Sequence, residues 1–184
     1  MRVVIAGLLG GLVIFIWGAV SHMALPLGEM GMAEAGNEDA VIAVLKENMP
    51  EAGVYMVPGL SSAQMSDDAA VAAYKAKSVA NPNAFVVYQP VGRDGTQMTE
   101  NLLRQYIGDT LAALIAAMIL ALGPFSKAKR VLMSVGMGAF AWLTVSAPYW
   151  NWYRFPQAFS LVMLLVGWLL AGFVMAWWLG RSGR

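Results

Sequence analysis

Long apolar runs constrain this chain more than any other feature of its sequence. The clearest run extends from Thr110 to Phe125 without a charged residue, and three cations follow it at Lys127, Lys129 and Arg130. An uncharged run of this length that ends in a basic cluster is typical of a transmembrane helix stopping at the cytoplasmic face. The composition agrees, because only 12% of the residues are charged, against about 25% in soluble domains.

Four membrane spans are predicted in total, at 1–21, 99–125, 131–148 and 158–179. The first contains the uncharged stretch Val3–Val20, which is about 27 Å long as a helix and can cross a bilayer. The alternative is a signal peptide cleaved near Ala19-Val20-Ser21. The apolar core of a signal peptide is usually shorter, at about 7–15 residues, so the length favours an uncleaved anchor.

Glycines form a stripe along the first predicted span. Gly7 and Gly11 are four residues apart, and Gly18 follows seven residues later. Such a stripe lets a second helix approach closely. Glycine is also generally frequent in membrane helices, which is the simpler explanation.

The segment 22–98 is polar and predicts a small α/β domain inserted between the first two spans. Two helices are expected, from N-cap Asn37 to Pro50 and from N-cap Ser66 to Pro82, each with two acids in its first turn. Strands are expected at Val54–Val57 and Ala84–Gln89, and Thr99 is the expected N-cap of the helix that enters the second span. A domain this short buries little core, and a two-stranded sheet is marginal alone. It should therefore pack on the bundle, a second copy or a partner.

The distribution of charge predicts the orientation. Ten of the eleven acidic residues precede residue 101. One side of the membrane would hold six cations and no acid: Arg2, Lys127, Lys129, Arg130, Arg181 and Arg184. The positive-inside rule then places both termini in the cytoplasm and residues 22–104 outside it. The expected fold is thus a four-helix transmembrane bundle with an extracytoplasmic α/β domain.

An aromatic stretch lies between the third and fourth predicted spans. It runs from Pro148 to Pro156 and includes Tyr149, Trp150, Trp152 and Tyr153. Because Trp and Tyr prefer the level of the lipid headgroups, the stretch is interpreted as a tight turn at the interface.

Few residues could support chemistry. The chain has no cysteine, which excludes disulfides, thiol catalysis and thiolate metal sites. His22 is the only histidine, and Glu29, Asp109 or a methionine would be its nearest candidates for a second ligand or base. Asp109 is the one acid of the membrane half, so it should find a partner in His22, Arg154 or, less well placed, Arg104. Each residue also has a simpler interpretation. His22 would bond to a carbonyl or a lipid phosphate, and Asp109 would extend its side chain to the headgroups without a protein partner.

The stretch F-I-W-G-A-V-S-H-M-A-L-P-L-G-E, together with G-V-Y-M-V-P-G and T-L-A-A-L-I-A-A, resembles a group of bacterial inner-membrane proteins with no assigned activity. The resemblance implies location and architecture, and it transfers no catalytic residue.

Two classes of function follow from these observations. The first is a non-catalytic accessory, assembly or structural component of an inner-membrane complex, which contacts the bilayer and either other membrane subunits or a second copy. The second is a small transporter, channel or membrane enzyme that uses Asp109 and His22 as a polar site. No catalytic residue, metal, cofactor or nucleic-acid partner is predicted.

Overall fold

The computed structural model describes residues 1–25, 27, 30–155 and 158–183, and its chain divides into two compact units. One unit comprises Met1–Ala33 and Thr96–Arg184, and the other is Glu34–Gly95. Four helical segments of the first unit are long and apolar enough to cross a membrane: Arg2–Ala24, Thr99–Leu120, Lys127–Tyr153 and Phe159–Leu179. The chain is therefore a multi-pass membrane protein.

The first helix ends in a wider turn. Helix α1 covers Arg2–Ala19 and continues as a single π-helical turn over Val20–Ala24. The chain leaves the helix at Leu25, whose backbone is extended. The span thus runs three residues beyond the predicted limit at residue 21, and His22 lies in its last turn. Glu29 falls outside the described residues.

The second span is shorter than the sequence suggested. Helix α4 covers Thr99–Leu120 and ends at Ala121 rather than at residue 125. Pro124 restricts the backbone of the residue before it, and Gly123 adds flexibility, so the helix stops before this pair. Thr99 is the first helical residue, whereas Met98 occupies the cap position without a side-chain hydrogen bond.

The third span is longer than predicted, and the expected aromatic turn is part of it. Helix α5 covers Lys127–Ala141, a π-helical turn follows over Trp142–Ser146, and helix α6 continues over Ala147–Tyr153. Pro148 does not end the helix, because it occupies the first turn of α6, directly after the wider turn, where a missing N–H is tolerated. The helix ends instead at Arg154, whose φ of 59° is left-handed.

Helix α1 lies at the centre of the bundle. It packs against α4 and against α7, which covers Ala158–Leu179, while α5 packs mainly against α7. The core these helices share is built largely from small side chains with a few long ones between them, namely Ala6, Ala116, Ala117, Leu120, Ala171, Met175 and Leu179. Small residues at a membrane helix interface allow close approach of the backbones.

Two glycines of α1 lie directly against α4. A Cβ atom on Gly7 would come within 2.7 Å of the Cα of Leu114, and one on Gly11 within 2.5 Å of the Cα of Thr110. These separations are shorter than real Cβ contacts, so the two backbones approach as closely as they do only because both positions are glycine. Gly18, in contrast, has nothing within 4 Å of its Cβ position.

The second unit contains two helices and a two-stranded sheet. Helix α2 covers Glu38–Asn48, strand β1 Gly53–Val57, helix α3 Asp68–Ala80 and strand β2 Ala84–Tyr88. Asn37 caps α2 by accepting a hydrogen bond from the backbone N–H of Ala40. Asp67 rather than Ser66 caps α3, because Ser66 belongs to a 3-10 turn over Ser62–Ser66.

The strands pair antiparallel, with Gly53 opposite Tyr88 and Val57 opposite Ala84. The rings of Tyr55 and Tyr88 meet edge to face, with their centroids 6.5 Å apart. Little of the unit is buried, since only Met49 and Pro58 among residues 34–95 are shielded from solvent.

Candidate functional site

Asp109 lies in the second span and bonds to its own helix. Its Oδ1 accepts a hydrogen bond of 2.8 Å from Nε2 of Gln105, one turn earlier. The side chain is half-buried rather than enclosed. The expected contact of Asp109 with His22 or Arg154 is not seen among the described residues.

His22 and its neighbour Ser21 fold back onto the first helix. Nδ1 of His22 lies 2.9 Å from the carbonyl oxygen of Gly18 and carries the proton in that hydrogen bond. The hydroxyl of Ser21, which is fully buried, donates to the same oxygen at 3.0 Å. Back-bonding of this kind satisfies polar side chains locally and bends helices. His22 is thus bonded to a backbone carbonyl, which is one of the two simpler alternatives to a functional role.

The two arginines of the predicted cluster have separate surroundings. Arg104 pairs with Glu100 one turn earlier on α4, and both side chains are exposed. Arg154 closes α6, where its backbone N–H donates to the carbonyl of Trp150 at 3.1 Å. Among the described residues, no hydrogen bond or ion pair therefore joins any two of His22, Asp109, Arg104 and Arg154.

Helix α6 displays its aromatic rings outwards. Tyr149, Trp150, Trp152 and Tyr153 are all exposed, Trp152 to 75%. Tyr149 contacts both Tyr153 and Phe155, with ring centroids 5.7 and 6.0 Å apart. The helix thus presents a belt of aromatic side chains, as expected where a span meets the headgroup region.

One face of the sheet in the second unit carries three exposed apolar side chains, Val54, Met56 and Val87. Side chains alternate between the two faces of a strand, so the register places Val54 and Met56 of β1 beside Phe85 and Val87 of β2. Val54 and Val87 lie directly opposite each other and are 60% and 64% exposed. Met56 is 43% exposed. This group of exposed apolar side chains is a candidate interaction surface.

This apolar face could not be identified from the sequence as a site. Residues 54–57 and 84–88 are apolar at almost every position, so the pattern does not tell an inner face from an outer one. The two faces can be told apart only when the strand register and the exposure of each side chain are known.

Cations gather at one end of the bundle. Lys127 at the start of α5 reaches Gly180 after the end of α7, and Nε of Arg130 donates to the carbonyl of Leu120 at 3.1 Å. The start of α5 and the ends of α4 and α7 therefore meet there, which brings Arg181 to the same end.

Comparisons of the chain with models of protein families, with curated proteins and with solved structures find no match.

Proposed function

We propose that this protein is a non-catalytic accessory, assembly or structural component of a bacterial inner-membrane complex. It contacts its partner through the domain between the first two spans and through its membrane helices. The observation that carries the proposal is the group of exposed apolar side chains on one face of the sheet, Val54, Met56 and Val87.

The cost of leaving this face in water supports a protein partner. Burying apolar surface contributes about 25 cal/mol per Å², and a two-stranded sheet without a covered face is marginal. A partner that covers the sheet would supply the buried area that the domain itself lacks. Helix α2 adds to the exposed apolar surface with Val41, Ile42 and Val44, which are 46%, 46% and 58% exposed.

The proposed orientation places the domain outside the cytoplasm. The cations at the shared end of α4, α5 and α7 support this, since Lys and Arg concentrate in short cytoplasmic segments. Reporter fusions test it directly. Fusions after Gly36, Gly92 and Tyr153 should report an extracytoplasmic location, and fusions after Ala128 and Arg184 a cytoplasmic one. A cytoplasmic signal at Gly92 would refute the orientation.

Site-specific crosslinking tests the partner. A photoreactive amino acid at Val54 or Val87 in the full chain should give a discrete adduct with a second protein in cells. The same amino acid at Lys75, an exposed polar position in the same domain, is the matched control. The adducts should survive purification in mild detergent, where mass spectrometry can identify the partner.

Two results would count against the proposal. Equal, diffuse labelling from Val54, Val87 and Lys75 would show that the sheet face has no specific partner. Adducts that contain only two copies of this chain would indicate self-association, and would favour a homo-oligomeric transporter or enzyme over an accessory subunit.

A further inference from the structure

The cationic end of the bundle contains a cavity that the proposed function does not use. The cavity has a volume of about 330 Å³ and is lined by Lys127, Trp177, Gly180 and Arg181. It lies between the start of α5 and the end of α7. Ligand sites in proteins commonly have volumes of about 300–1,000 Å³, so the space suits a small charged group.

An apolar groove of about 610 Å³ lies next to this cavity and shares Lys127 and Trp177 with it. Its walls are side chains of two helices, Val131, Leu132 and Val135 on α5 and Leu169 and Phe173 on α7. Both walls extend eight residues from the cationic end, or about 12 Å of helix. One leaflet of the hydrocarbon core is about 15 Å thick, so the groove follows most of its depth.

The cations at the cavity are held in place without a carboxylate. The guanidinium carbon of Arg181 lies 4.0 Å from the ring centroid of Trp177 and 5.5 Å from that of Trp178. Stacking on a ring orients the guanidinium while its N–H groups at the edge stay able to donate. Within the described part of the chain, neither Lys127 nor Arg181 forms an ion pair. No acidic residue follows Asp109 in the sequence.

Gly180 leaves room for the side chain of Lys127, the second cation at the cavity. A Cβ at this position would lie 3.0 Å from Cε of Lys127 and 3.6 Å from its Cγ. The aliphatic part of Lys127 therefore lies across the end of α7, at the wall of the cavity that also holds Arg181. Two positive charges thus stand at the mouth of a groove whose remaining lining is apolar.

We infer that this cavity and groove bind one anionic phospholipid, with its phosphate between Lys127 and Arg181 and an acyl chain along the groove between α5 and α7. The charge of the two cations complements a phosphodiester headgroup, and basic pockets between membrane helices bind such headgroups. The apolar groove distinguishes a lipid from a free anion, because a free anion gains nothing from it. The inference stands independently of the proposed accessory function.

Native mass spectrometry of the full chain in detergent micelles tests the site. The micelles contain equal amounts of phosphatidylglycerol and phosphatidylethanolamine with the same acyl chains. Each cation near a membrane surface favours an anionic lipid by roughly fivefold, so two predict a preference of about 25-fold for phosphatidylglycerol as the first bound lipid. The variant Lys127→Gln/Arg181→Gln should reduce the preference to within about twofold.

Lys129→Gln is the matched control, because it removes one charge from the same helix end outside the cavity lining. It should keep most of the preference. The variant Lys127→Arg/Arg181→Lys retains both charges and should also keep the preference for phosphatidylglycerol. It therefore distinguishes a loss of charge from a loss of folding. The inference is overturned if the wild type binds both lipids equally, or if Lys129→Gln loses as much preference as the double glutamine variant. Displacement of the bound lipid by millimolar inorganic phosphate would likewise overturn it, in favour of a free-anion site.

Discussion

Substitution of Gly11 by alanine should weaken the contact between the first and second spans. The new Cβ would lie 2.5 Å from the Cα of Thr110 and 2.8 Å from its Oγ1. The closest atom belongs to backbone, so no side-chain rotation can relieve the overlap and the helices must separate. Gly7 has the same relation to Leu114, whose Cα would be 2.7 Å from the new atom.

Two other glycines of α1 complete a graded series. At Gly10 the new Cβ would lie 2.9 Å from Sδ of Met175 and 3.2 Å from Cβ of Ala113. Met175 is flexible but fully buried, so it can move aside only in part. At Gly18 it would meet nothing within 4 Å. The four alanine variants therefore make the same chemical change on the same helix and differ only in what the methyl group encounters.

Overpacking of a well-packed interface costs typically about 1–3 kcal/mol. We expect Gly11→Ala and Gly7→Ala to lose this much free energy of unfolding relative to Gly18→Ala. Since about 1.4 kcal/mol corresponds to a factor of ten, the unfolding equilibrium constant should change by about five- to 150-fold. Gly10→Ala should fall between them. Comparison with Gly18→Ala cancels the higher helix propensity of alanine, about 1 kcal/mol in water.

The assay is unfolding of the purified full chain in mixed micelles, followed by circular dichroism as the fraction of denaturing detergent rises. Equal midpoints for Gly11→Ala and Gly18→Ala would refute the reasoning, because a Cβ only 2.5 Å from a backbone atom cannot be accommodated without movement of a helix. Loss of stability in all four variants would equally refute it, since the effect would then not depend on α4.

Three further predictions use the same structure. Ser134→Ala removes the hydrogen bond of 2.7 Å that joins α5 to the carbonyl of Trp168, so it should lower the free energy of unfolding by about 0.6 kcal/mol, and by at most about 1.7 kcal/mol, in the same assay. Thr144→Ala is the control, because this hydroxyl bonds only to its own helix, and it should cost less. The reverse order would contradict the assignment. Asp109→Asn should change stability by less than about 0.5 kcal/mol, the value of a pair four residues apart on one helix, whereas a larger loss that is non-additive with His22→Gln or Arg154→Gln would reveal a clamp between spans. Residues 34–95 expressed alone should be marginally stable or self-associating, and a monomer that melts cooperatively well above 60 °C would show that the domain needs no partner.

The number and type of the main elements follow from the sequence, whereas their ends depend on interactions that the sequence does not display. Four apolar helices and a small sheet are evident from hydropathy and from the positions of proline and glycine. Pro148 predicts the end of a helix, but it lies in the first turn of α6, directly after a π-helical turn, where the missing N–H is tolerated. The N-cap of α3 is Asp67 rather than Ser66. The sequence does not decide between them, because both residue types are favoured at an N-cap.

The predicted polar cluster shows a different limit. One acid, one histidine and two arginines placed toward the same side of the membrane predict a shared site, but three of the four bond to a partner on their own helix. Gln105 reaches Asp109, Glu100 reaches Arg104, and the carbonyl of Gly18 reaches His22. Local partners four residues apart are available as soon as a helix forms, whereas a contact between spans requires a rotation of each helix that composition does not specify.

Exposed apolar side chains have opposite meanings in the two units. On the spans, side chains such as Leu111, which is 56% exposed, meet lipid tails that are as apolar as they are, so no partner is needed. Val54 is similarly exposed, at 60%, but it lies on a strand. Because a two-stranded sheet leaves N–H and C=O groups unpaired along both outer edges, it does not enter hydrocarbon. Val54, Met56 and Val87 are therefore not covered by the bilayer core. We propose that a partner protein buries them while the sheet edges stay hydrated or paired.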